Sequence, residues 1–599
     1  MRRTLIILTV LSVLALAPIG AQQVATKPAA QAAPAAAAPQ KPDAGQAAVP
    51  TPRPMELADI IAWKNVGATA FSNDGRWVAY RLSPMEGDSE IFVKATDSDK
   101  VYTFPVGEAP SMGGGAGGPG GGAVPTASLG FSEDSKWAAF MVYPTRAEGQ
   151  RLRRQRRPVQ AKVQLLDLTS GKDVTIENVR RFAFAGERGG WVAIAKAPAA
   201  SGGPGAGAAA APAPGGASGS GAGAASDRPK GADLILRDLA TGRDLNIGNV
   251  AEFAFDKSGR FLALVIDAPD KAGNGVQLRN MESGVVSVLD SDKASYERLA
   301  WTEKGDGLSV VKGTDDKRYT DKVYAAIGFW DFGAAGGPQR AVYDPAGDKT
   351  FPEGMSIAPT RGATWTEDLT ALVFGIRTLK KSDAKPEASK PGEGGADPTA
   401  KPEPPAAPAA PETPQEETVD LILWHHKDPR LQSQQQVQEQ ADKNFSYLSV
   451  YRVKENRFIR LADDSVRSVS PAPKAKYALG YDVREYERMS NLDGRRYQDV
   501  YVIDMQTGDR KLALKKARNP GQPSMDGTKF YYFDDGHYFV YDMASGQSAN
   551  ATKLVPASFV NTEDDHNVVK PPRPALGWTS DSSAMLLSDG WDIWKVPAS

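Results

Sequence analysis

The stretch FSNDGRWVAYRLS, from Phe71 to Ser83, carries the pattern that decides the fold of this chain. A short apolar segment ends at Phe71, Asn73-Asp74-Gly75 follows, and the apolar run WVAY comes next. Aspartate bonds the local backbone and glycine accepts positive φ, so the middle of the stretch predicts a tight turn between two strands. Because the second strand is almost continuously apolar, we expect it to be buried on both faces.

The same order of strand, turn and apolar strand occurs nine times along the chain. The further copies are FSEDSKWAAFMVY (131–143), FAFAGERGGWVAIAK (182–196), FAFDKSGRFLALVID (253–267), LAWTEKGDGLSVVKG (299–313), ATWTEDLTALVFGIR (363–377), SVSPAPKAKYALGYD (468–482), GQPSMDGTKFYYFDD (521–535) and LGWTSDSSAMLLSDG (576–590). Nine copies in one order indicate a repeat protein rather than a chance run of unrelated hairpins.

A second recurring element lies between these copies and completes each repeat. A strand ends on Asp or Asn, and a turn containing Thr or Ser followed by Gly leads into the next strand. This element occurs as LLDLTSGK (165–172), LRDLATGR (236–243), LRNMESGV (278–285), VIDMQTGD (502–509) and VYDMASGQ (540–547). Together the two elements give three or four antiparallel strands per repeat.

Repeats of this length predict an all-β fold, a β-propeller of about seven or eight four-stranded blades. A solenoid of β-turns would repeat over a much shorter distance. Helical periodicity is confined to DPRLQSQQQVQEQADKN (428–444), which we expect to form a short amphipathic excursion. A propeller normally closes into a ring by joining its first and last blades. The final copy (576–590) would need partner strands for this, and the sequence offers none after Ser599. We therefore expect the propeller to be incomplete at its C-terminal end, unless an N-terminal strand closes it.

The N-terminal residues have the pattern of a secretory signal peptide. Arg2 and Arg3 precede an apolar run from Leu5 to about Ala17, and the small residue Ala21 marks the expected cleavage site. The alternative is an uncleaved membrane anchor, but the apolar run is shorter than the ~20 residues that a span requires. We therefore assign residues 1–21 to a signal peptide and expect an exported protein, periplasmic or secreted, that leaves the membrane after cleavage.

Four stretches have the composition of linkers, because they contain too few apolar residues to offset the entropy of ordering. Residues 22–54 form an Ala/Pro-rich linker behind the signal peptide, and the propeller is expected over 55–599. The other three are predicted to be disordered insertions in the propeller, at 109–126, 197–230 and 380–417.

The overall composition excludes several classes of function. The chain contains no cysteine, which excludes thiolate chemistry and cysteine-ligated metals. Its 71 basic and 72 acidic residues balance, so no global field draws it to nucleic acid or to a membrane surface. We expect no cofactor and no nucleic-acid partner.

The S-x-D-G-[RK]-W strands, the D-[LM]-x-[TS]-G turns and the closing LLSDGWDIWKV together resemble the N-terminal propeller of prolyl oligopeptidase family serine peptidases. The resemblance is to long exported bacterial members of the dipeptidyl peptidase IV type, and it covers roughly residues 55–599 outside the insertions. It implies a propeller that precedes an α/β-hydrolase domain, admits peptides to the active site and excludes folded proteins.

This sequence departs from the family pattern in its catalytic residues. In the family the nucleophilic serine lies on a G-x-S-x-G elbow, and this chain has no such motif. We therefore expect no catalytic residue here, and peptide substrates that are met only through a C-terminal hydrolase domain missing from the chain. The alternative is a natural stand-alone periplasmic propeller that binds a protein or peptide.

Glu485 and Glu487, in DVREYERMSNLDGRRYQD (482–499), are the candidate substrate-binding residues. The resemblance implies them, because dipeptidyl peptidase IV relatives hold the substrate's free amine with a pair of propeller glutamates, although here the two are not adjacent. The alternative is an edge strand whose charges discourage aggregation.

Two other polar stretches and the histidines offer further candidate sites. RAEGQRLRRQRRPVQAK (146–162) could bind an anionic partner, but a solvated loop or short helix is the simpler interpretation. NTEDDHNVVKPP (561–572) lacks the spacing of a calcium loop, and His425 and His426 would point to opposite faces of a strand. We expect no metal site, and His537 is expected to lie at a hairpin turn.

Overall fold

The computed structural model describes residues 54–108, 128–155, 157–198, 230–334, 336–382, 424–566 and 569–598. The chain divides into two units, Met1–Leu57 and Ala58–Ser599, and the described residues belong almost wholly to the second. The predicted signal peptide, the N-terminal linker and the three predicted insertions lie wholly or largely outside the described residues and stay predictions. In the described part of the chain, no helix is both long and apolar enough to span a bilayer.

The strands form successive antiparallel sheets in which each strand pairs with its neighbours in sequence. A short helix, α1 (Leu57–Ala62), comes before the first sheet. The first blade contains β1 (Lys64–Phe71), β2 (Trp77–Pro84), β3 (Ser89–Ala95) and β4 (Val101–Gly107). This is the up-and-down order that the repeats predict.

The next three blades share one continuous sheet of ten strands. Its strands are β5 (Leu129–Phe131), β6 (Trp137–Val142), β7 (Ala161–Asp167), β8 (Asp173–Phe184), β9 (Trp191–Lys196), β10 (Ala232–Asp238), β11 (Asp244–Phe255), β12 (Phe261–Ile266), β13 (Gly275–Asn280) and β14 (Val286–Ser291). β8 pairs with β7 up to Val179 and with β9 beyond it, and β11 changes partners in the same way at Val250. Each long strand is therefore the last strand of one blade and the first of the next.

The remaining sheets give four more blades and a final sheet of three strands. Blade five has β15 (Ser295–Trp301), β16 (Gly307–Thr314), β17 (Val323–Trp330) and β18 (Gln339–Tyr343); blade six has β19 (Met355–Ile357), β20 (Ala363–Trp365), β21 (Ala371–Thr378), β22 (Tyr447–Arg452) and β23 (Arg457–Arg460). Blade seven has β24 (Ser468–Pro471), β25 (Tyr477–Asp482), β26 (Gln498–Asp504) and β27 (Arg510–Ala517); blade eight has β28 (Asn519–Pro523), β29 (Lys529–Asp534), β30 (His537–Asp542) and β31 (Ser548–Asn550). The ninth sheet has β32 (Ala575–Trp578), β33 (Ala584–Ser588) and β34 (Ile593–Pro597).

These sheets confirm the predicted all-β propeller class. β19 and β20 both pair with β21, so they form one first strand that is broken at residues 358–362. With that strand counted once, the described residues form eight four-stranded blades and a ninth sheet of three strands. Each of the nine sequence copies supplies the end of a first strand, the turn and the second strand of one sheet.

The helices in the connections between strands are short. They are α2 (Arg146–Arg154), α3 (Gln432–Lys443) and α4 (Glu487–Asp493), with 3₁₀ turns at Pro345–Gly347 and Pro473–Ala475. The short helical excursion predicted at 428–444 is confirmed as α3, and none of the residues of α3 is buried.

The turn between the first and second strands is held by a hydroxyl and an aspartate. The Ser72 hydroxyl donates to Asp74 Oδ1 at 2.6 Å and accepts from the backbone N–H of Trp77 at 2.9 Å. Equivalent pairs are Ser132–Asp134, Thr366–Asp368, Ser524–Asp526 and Thr579–Asp581. This bond connects the two ends of the turn and fixes which residues of the two strands face each other.

The turn between the third and fourth strands uses an aspartate in a different way. Asp504 Oδ1 accepts from the backbone N–H groups of Gln506 at 2.7 Å and Thr507 at 3.0 Å. Gly508 follows with φ of 84° and returns its N–H to the Asp504 carbonyl at 2.8 Å. Only glycine adopts that φ without strain, which explains the recurring Gly of the D-x-x-[TS]-G pattern.

Each pair of consecutive blades encloses one hydrophobic cluster, and the eight clusters match the eight interfaces in the series of eight blades and the final three-stranded sheet. On β6, Ala138 and Phe140 pack toward the first blade, whereas Ala139 and Met141 pack toward the third. All six residues of β12 are buried. The prediction that second strands are buried on both faces is confirmed for these inner strands, whereas in β2 of the first blade Ala79 is the one buried residue.

The two ends of each sheet differ in character. In an up-and-down sheet the first and third connections lie at one edge, and the second connection and the link to the next blade lie at the other. We call these the turn edge and the loop edge. All three of α2, α3 and α4 lie in second connections, and so at the loop edge. The three predicted insertions also fall, by sequence position, in connections of the loop edge.

Replacing the turn hydroxyl is expected to destabilise the fold. Ser524 is fully buried, and Ser524→Ala leaves Asp526 and the Lys529 N–H without their shared partner. We expect the free energy of unfolding to fall by about 1–3 kcal/mol, measured by urea unfolding followed by tryptophan fluorescence. The control is Ser287→Ala on the exposed face of β14, which should change it by less than about 0.5 kcal/mol. Equal effects of the two substitutions would contradict the role of the turn bond.

The same turns predict a loss of stability in acid. Hydrogen bonds from the Thr579 hydroxyl, and then from the Ser583 backbone and hydroxyl, lower the pKa of Asp581 from 3.8 to about 2. Because the folded pKa lies below the unfolded one, this stabilisation is complete above pH 3.8 and is lost as the pH falls toward 2. Urea unfolding between pH 5 and pH 2 should show a shallower pH dependence for Asp581→Asn than for the wild type. An unchanged slope would show that the turn does not hold the ionised carboxylate.

Candidate functional site

The predicted substrate-binding glutamates lie at the loop edge of blade seven, in the connection between β25 and β26. Glu485 is in the turn that follows β25, and Glu487 is the first residue of α4. The connection is a turn and a helix, so the alternative interpretation of this stretch as an edge strand is wrong. The structure thus places both glutamates where the blade departs from regular strand geometry.

Glu485 belongs to a network centred on the ammonium group of Lys515. Lys515 Nζ donates to Glu485 Oε2 at 2.7 Å and to Asp499 Oδ2 at 2.8 Å. The Glu485 side chain is 64% exposed, whereas that of Asp499 is 7% exposed. Two carboxylates of different burial therefore share one ammonium ion, and they raise the pKa of Lys515.

Asp499 is the buried centre of this network. It accepts from the Tyr486 hydroxyl at 2.7 Å and from the backbone N–H of Lys516 at 2.9 Å, in addition to Lys515. Burial opposes ionisation of Asp499, but the hydrogen bonds from Lys515 and the Lys516 backbone outweigh it and lower its pKa. The carboxylate is thus held ionised among three donors.

Glu487 has a different cation as its neighbour. Its Oε1 lies 4.0 Å from Arg430 Nε, and Arg430 also forms a 2.8 Å ion pair with Asp442 of α3. A further contact, Gln434 to Asn491 at 2.7 Å, joins α3 to α4. The loop-edge segments of blades six and seven therefore pack against each other, and Glu487 belongs to that junction.

The two glutamates thus have separate partners and do not form one carboxylate pair. Their role in holding a substrate amine stays a prediction. Sequence reasoning missed Asp499 and Lys515, which bond each other and connect Glu485, Tyr486 and the Lys516 backbone. The one signal in the sequence is that Asp499, a charged residue, lies in β26 directly before the apolar run VYVI (500–503).

The arginine-rich stretch forms the helix α2 at the loop edge of blade two, as its simpler interpretation predicts. Thr145 caps the helix by accepting from the Glu148 N–H. Arg146 pairs with Glu86 at 3.0 Å, and its backbone N–H donates to Asp88 at 2.7 Å, which ties the helix to blade one. The other arginines of the stretch are Arg151, Arg153, Arg154, Arg157 and Arg156, the last of which lies outside the described residues.

The histidines are dispersed. His425 and His426 lie in a turn rather than a strand, with ring centroids 4.2 Å apart, so the expectation that they point to opposite faces is wrong. His537 is the first residue of β30, directly after the Asp535-Gly536 turn, and contacts the Thr552 hydroxyl at 3.2 Å.

Asp564, Asp565 and His566 are the one group of acidic and histidine side chains, in the described ranges, whose ligand atoms lie within 4.8 Å of one another. Asp565 and His566 are exposed, and His566 Nδ1 lies 3.0 Å from Asp564. A surface hydrogen bond between neighbouring residues accounts for this arrangement.

Comparison with known proteins gives structural likenesses only. No protein-family model and no curated protein matches the chain. A eukaryotic initiation factor aligns at 10% identity and a TM-score of 0.34, over 80% of this chain and 86% of that one. A prolyl endopeptidase aligns at 11% identity and a TM-score of 0.31, over 81% of this chain and 55% of that one. The β-propeller domain of the trilobed protease from Pyrococcus furiosus aligns at 8% identity and a TM-score of 0.27, over 76% and 97%.

The chain spans little more than half of the prolyl endopeptidase. At these identities and TM-scores, the likenesses bear on neither the family nor the activity of this chain.

The network around Lys515 predicts unequal effects for its two carboxylates. Asp499→Ala removes the shared acceptor of Tyr486 and Lys516, and should lower the free energy of unfolding by about 1–3 kcal/mol. Glu485→Gln weakens an exposed ion pair and should change it by less than about 1 kcal/mol. Urea unfolding of the two variants tests this. A larger loss for Glu485→Gln would mean that the exposed carboxylate, and not Asp499, holds the connection in place.

Proposed function

We propose that residues 55–599 form the non-catalytic, substrate-gating propeller portion of a prolyl oligopeptidase family serine peptidase that acts on peptides. On this proposal the protein is exported, periplasmic or secreted, and the catalytic Ser, Asp and His are supplied by an α/β-hydrolase domain outside this sequence. The blade motifs that resemble this family are the origin of the proposal.

The single observation that carries the proposal is the difference between the two edges. At the turn edge, hydroxyl–aspartate and aspartate–glycine turns recur with nearly constant length. At the loop edge, the connections hold all three helices α2, α3 and α4 and the Glu485 network. Binding residues are generally carried on variable loops held by a rigid scaffold, so the loop edge is where we place contact with peptides and with a hydrolase domain.

The Lys515 network supports the predicted role of Glu485. Glu485 and Asp499 already hold an ammonium group, the same donor that the free N-terminus of a peptide presents. Because Glu485 is exposed and its pair with Lys515 is open to solvent, a peptide amine could reach it from the solvent side. Glu487 would then contribute from the adjacent α4.

Hydrolysis tests the first part of the proposal. The purified chain should not release p-nitroaniline from Ala-Pro-p-nitroanilide and should not react with a fluorophosphonate probe. Release that is abolished by this serine-directed reagent would overturn the assignment as non-catalytic.

Calorimetric titration tests the second part. Ala-Pro-Ala should bind more tightly than N-acetyl-Ala-Pro-Ala, and Glu485→Gln with Glu487→Gln should remove the difference. Arg154→Gln on α2 is the control and should retain it. If neither peptide binds, and the chain is monomeric, unfolds cooperatively and binds no hydrophobic dye, a stand-alone propeller with a different partner replaces the proposal.

A further inference from the structure

The first strands of blades three to six are each interrupted near the middle. The pairing register shifts after Val179 in β8, after Val250 in β11 and after Glu297 in β15, and in blade six the strand is broken at 358–362. Such bulges release backbone groups from the sheet. First strands of consecutive blades adjoin here, β11 beside β15 and β15 beside β20.

Charged side chains connect each interruption to the next. Arg180 Nη2 donates to the Ala251 carbonyl at 2.9 Å, which joins blade three to blade four. Glu252 accepts from the backbone N–H groups of Arg298 at 3.1 Å and Leu299 at 2.9 Å, which joins blade four to blade five.

Arg298 continues this series into blade six. Its Nε donates to the Pro359 carbonyl at 2.7 Å, and its side chain passes beside Gly362. Three consecutive interfaces are therefore bridged at the level of the bulges.

Arg361 is the residue from which the next bridge would start. It lies in the break of blade six, beside the segment that Arg298 contacts, and its side chain has no hydrogen bond or ion pair with any residue that the structure describes. Burial lowers the pKa of Arg361, with no carboxylate to oppose it. A half-buried guanidinium without a counter-charge is unfavourable, and an anion that pairs with it would relieve the cost.

A second polar group converges on the same place. The Arg361 side chain and the Ser446 hydroxyl both lie over Gly375, where a Cβ atom would come within 3.1 Å of Arg361 Cδ and 2.2 Å of Ser446 Oγ. Gly375 thus provides the room that the two side chains share. The Ser446 hydroxyl also lacks a partner among the described residues, although Ser446 is buried.

We infer that Arg361, with the Ser446 hydroxyl, forms a carboxylate-binding site that holds the C-terminal carboxylate of a peptide. A guanidinium presents two parallel N–H donors that match a carboxylate, and a serine hydroxyl can supply a third. This inference rests on the proposed function, because it assigns the opposite end of the peptide from the amine that Glu485 is proposed to bind.

Titration of the full chain with Ala-Pro-Ala and with its C-terminal amide tests the inference. The free acid should bind about 10-fold or more tightly than the amide, and Arg361→Gln should abolish that difference. Arg361→Lys keeps the charge but not the paired donors, so it should recover part of it. Arg467→Gln, an arginine that stacks on Phe445 at the start of blade seven, is the matched control and should behave as wild type.

Thermal unfolding is the second measurement. Arg361→Gln removes an unpaired charge and should leave the melting temperature unchanged or higher, and Ala-Pro-Ala should raise that temperature in the wild type more than in the variant. Equal binding of acid and amide would overturn the carboxylate site and leave the proposed function standing. Equally tight binding of acetate or phosphate would show a site for small anions rather than peptides. No binding of either peptide would overturn both.

Discussion

Every inner sheet of this protein has two apolar faces, and each face must be covered by a neighbouring blade. β12 shows the constraint most clearly, because all six of its residues are buried and they contribute alternately to the clusters shared with blades three and five. A blade of this kind cannot be stable alone, since at least half of its apolar surface would meet water. The eight clusters therefore make stability a property of the succession of blades, and each interface depends on the two sheets that enclose it.

Two apolar faces create a problem of register that the turns solve. In a sheet with one polar face, a slip of one residue would expose the apolar side chains, so burial itself specifies the pairing. When a second strand is apolar on both faces, a slip of one residue exposes no additional apolar side chain, so burial alone does not specify its pairing. The hydroxyl of Ser72 or Thr579 instead bonds both ends of its turn, and it fixes the register locally before the blades pack. This explains why the turn edge varies so little, while the loop edge is free to carry helices and polar networks.

The local parts of this design could be predicted from the sequence, and the non-local parts could not. The pattern from Phe71 to Ser83 and its copies gave the strand pairs, the two-face burial and the turn residues, because each depends on residues only a few positions apart. Sharing of β8 and β11 between blades was not predictable, since it depends on which partners the two halves of one strand find. The link between Asp499 and Lys515 was missed for the same reason: it crosses a hairpin, and neither residue belongs to a motif. Glu485 was singled out from the sequence, but its ion pair with Lys515 could be identified only from the fold.

The interruptions of the first strands show how one structural position can serve two purposes. A bulge leaves backbone N–H and carbonyl groups unpaired, and a long charged side chain from the adjacent blade is well suited to satisfy them. Arg180 and Arg298 do so for carbonyls, and Glu252 does so for two N–H groups. In these blades the charged side chain is bonded to the backbone of the adjacent blade. Arg361 is also an arginine at an interruption of a first strand, but it has no backbone acceptor within the described chain. Its guanidinium is therefore free to bind a ligand carboxylate. Arg298 bonds the Pro359 carbonyl of the segment that contains Arg361, whereas Arg361 has no such acceptor in the part of the chain that the structure describes, and this contrast separates a structural arginine from a candidate binding residue in this fold.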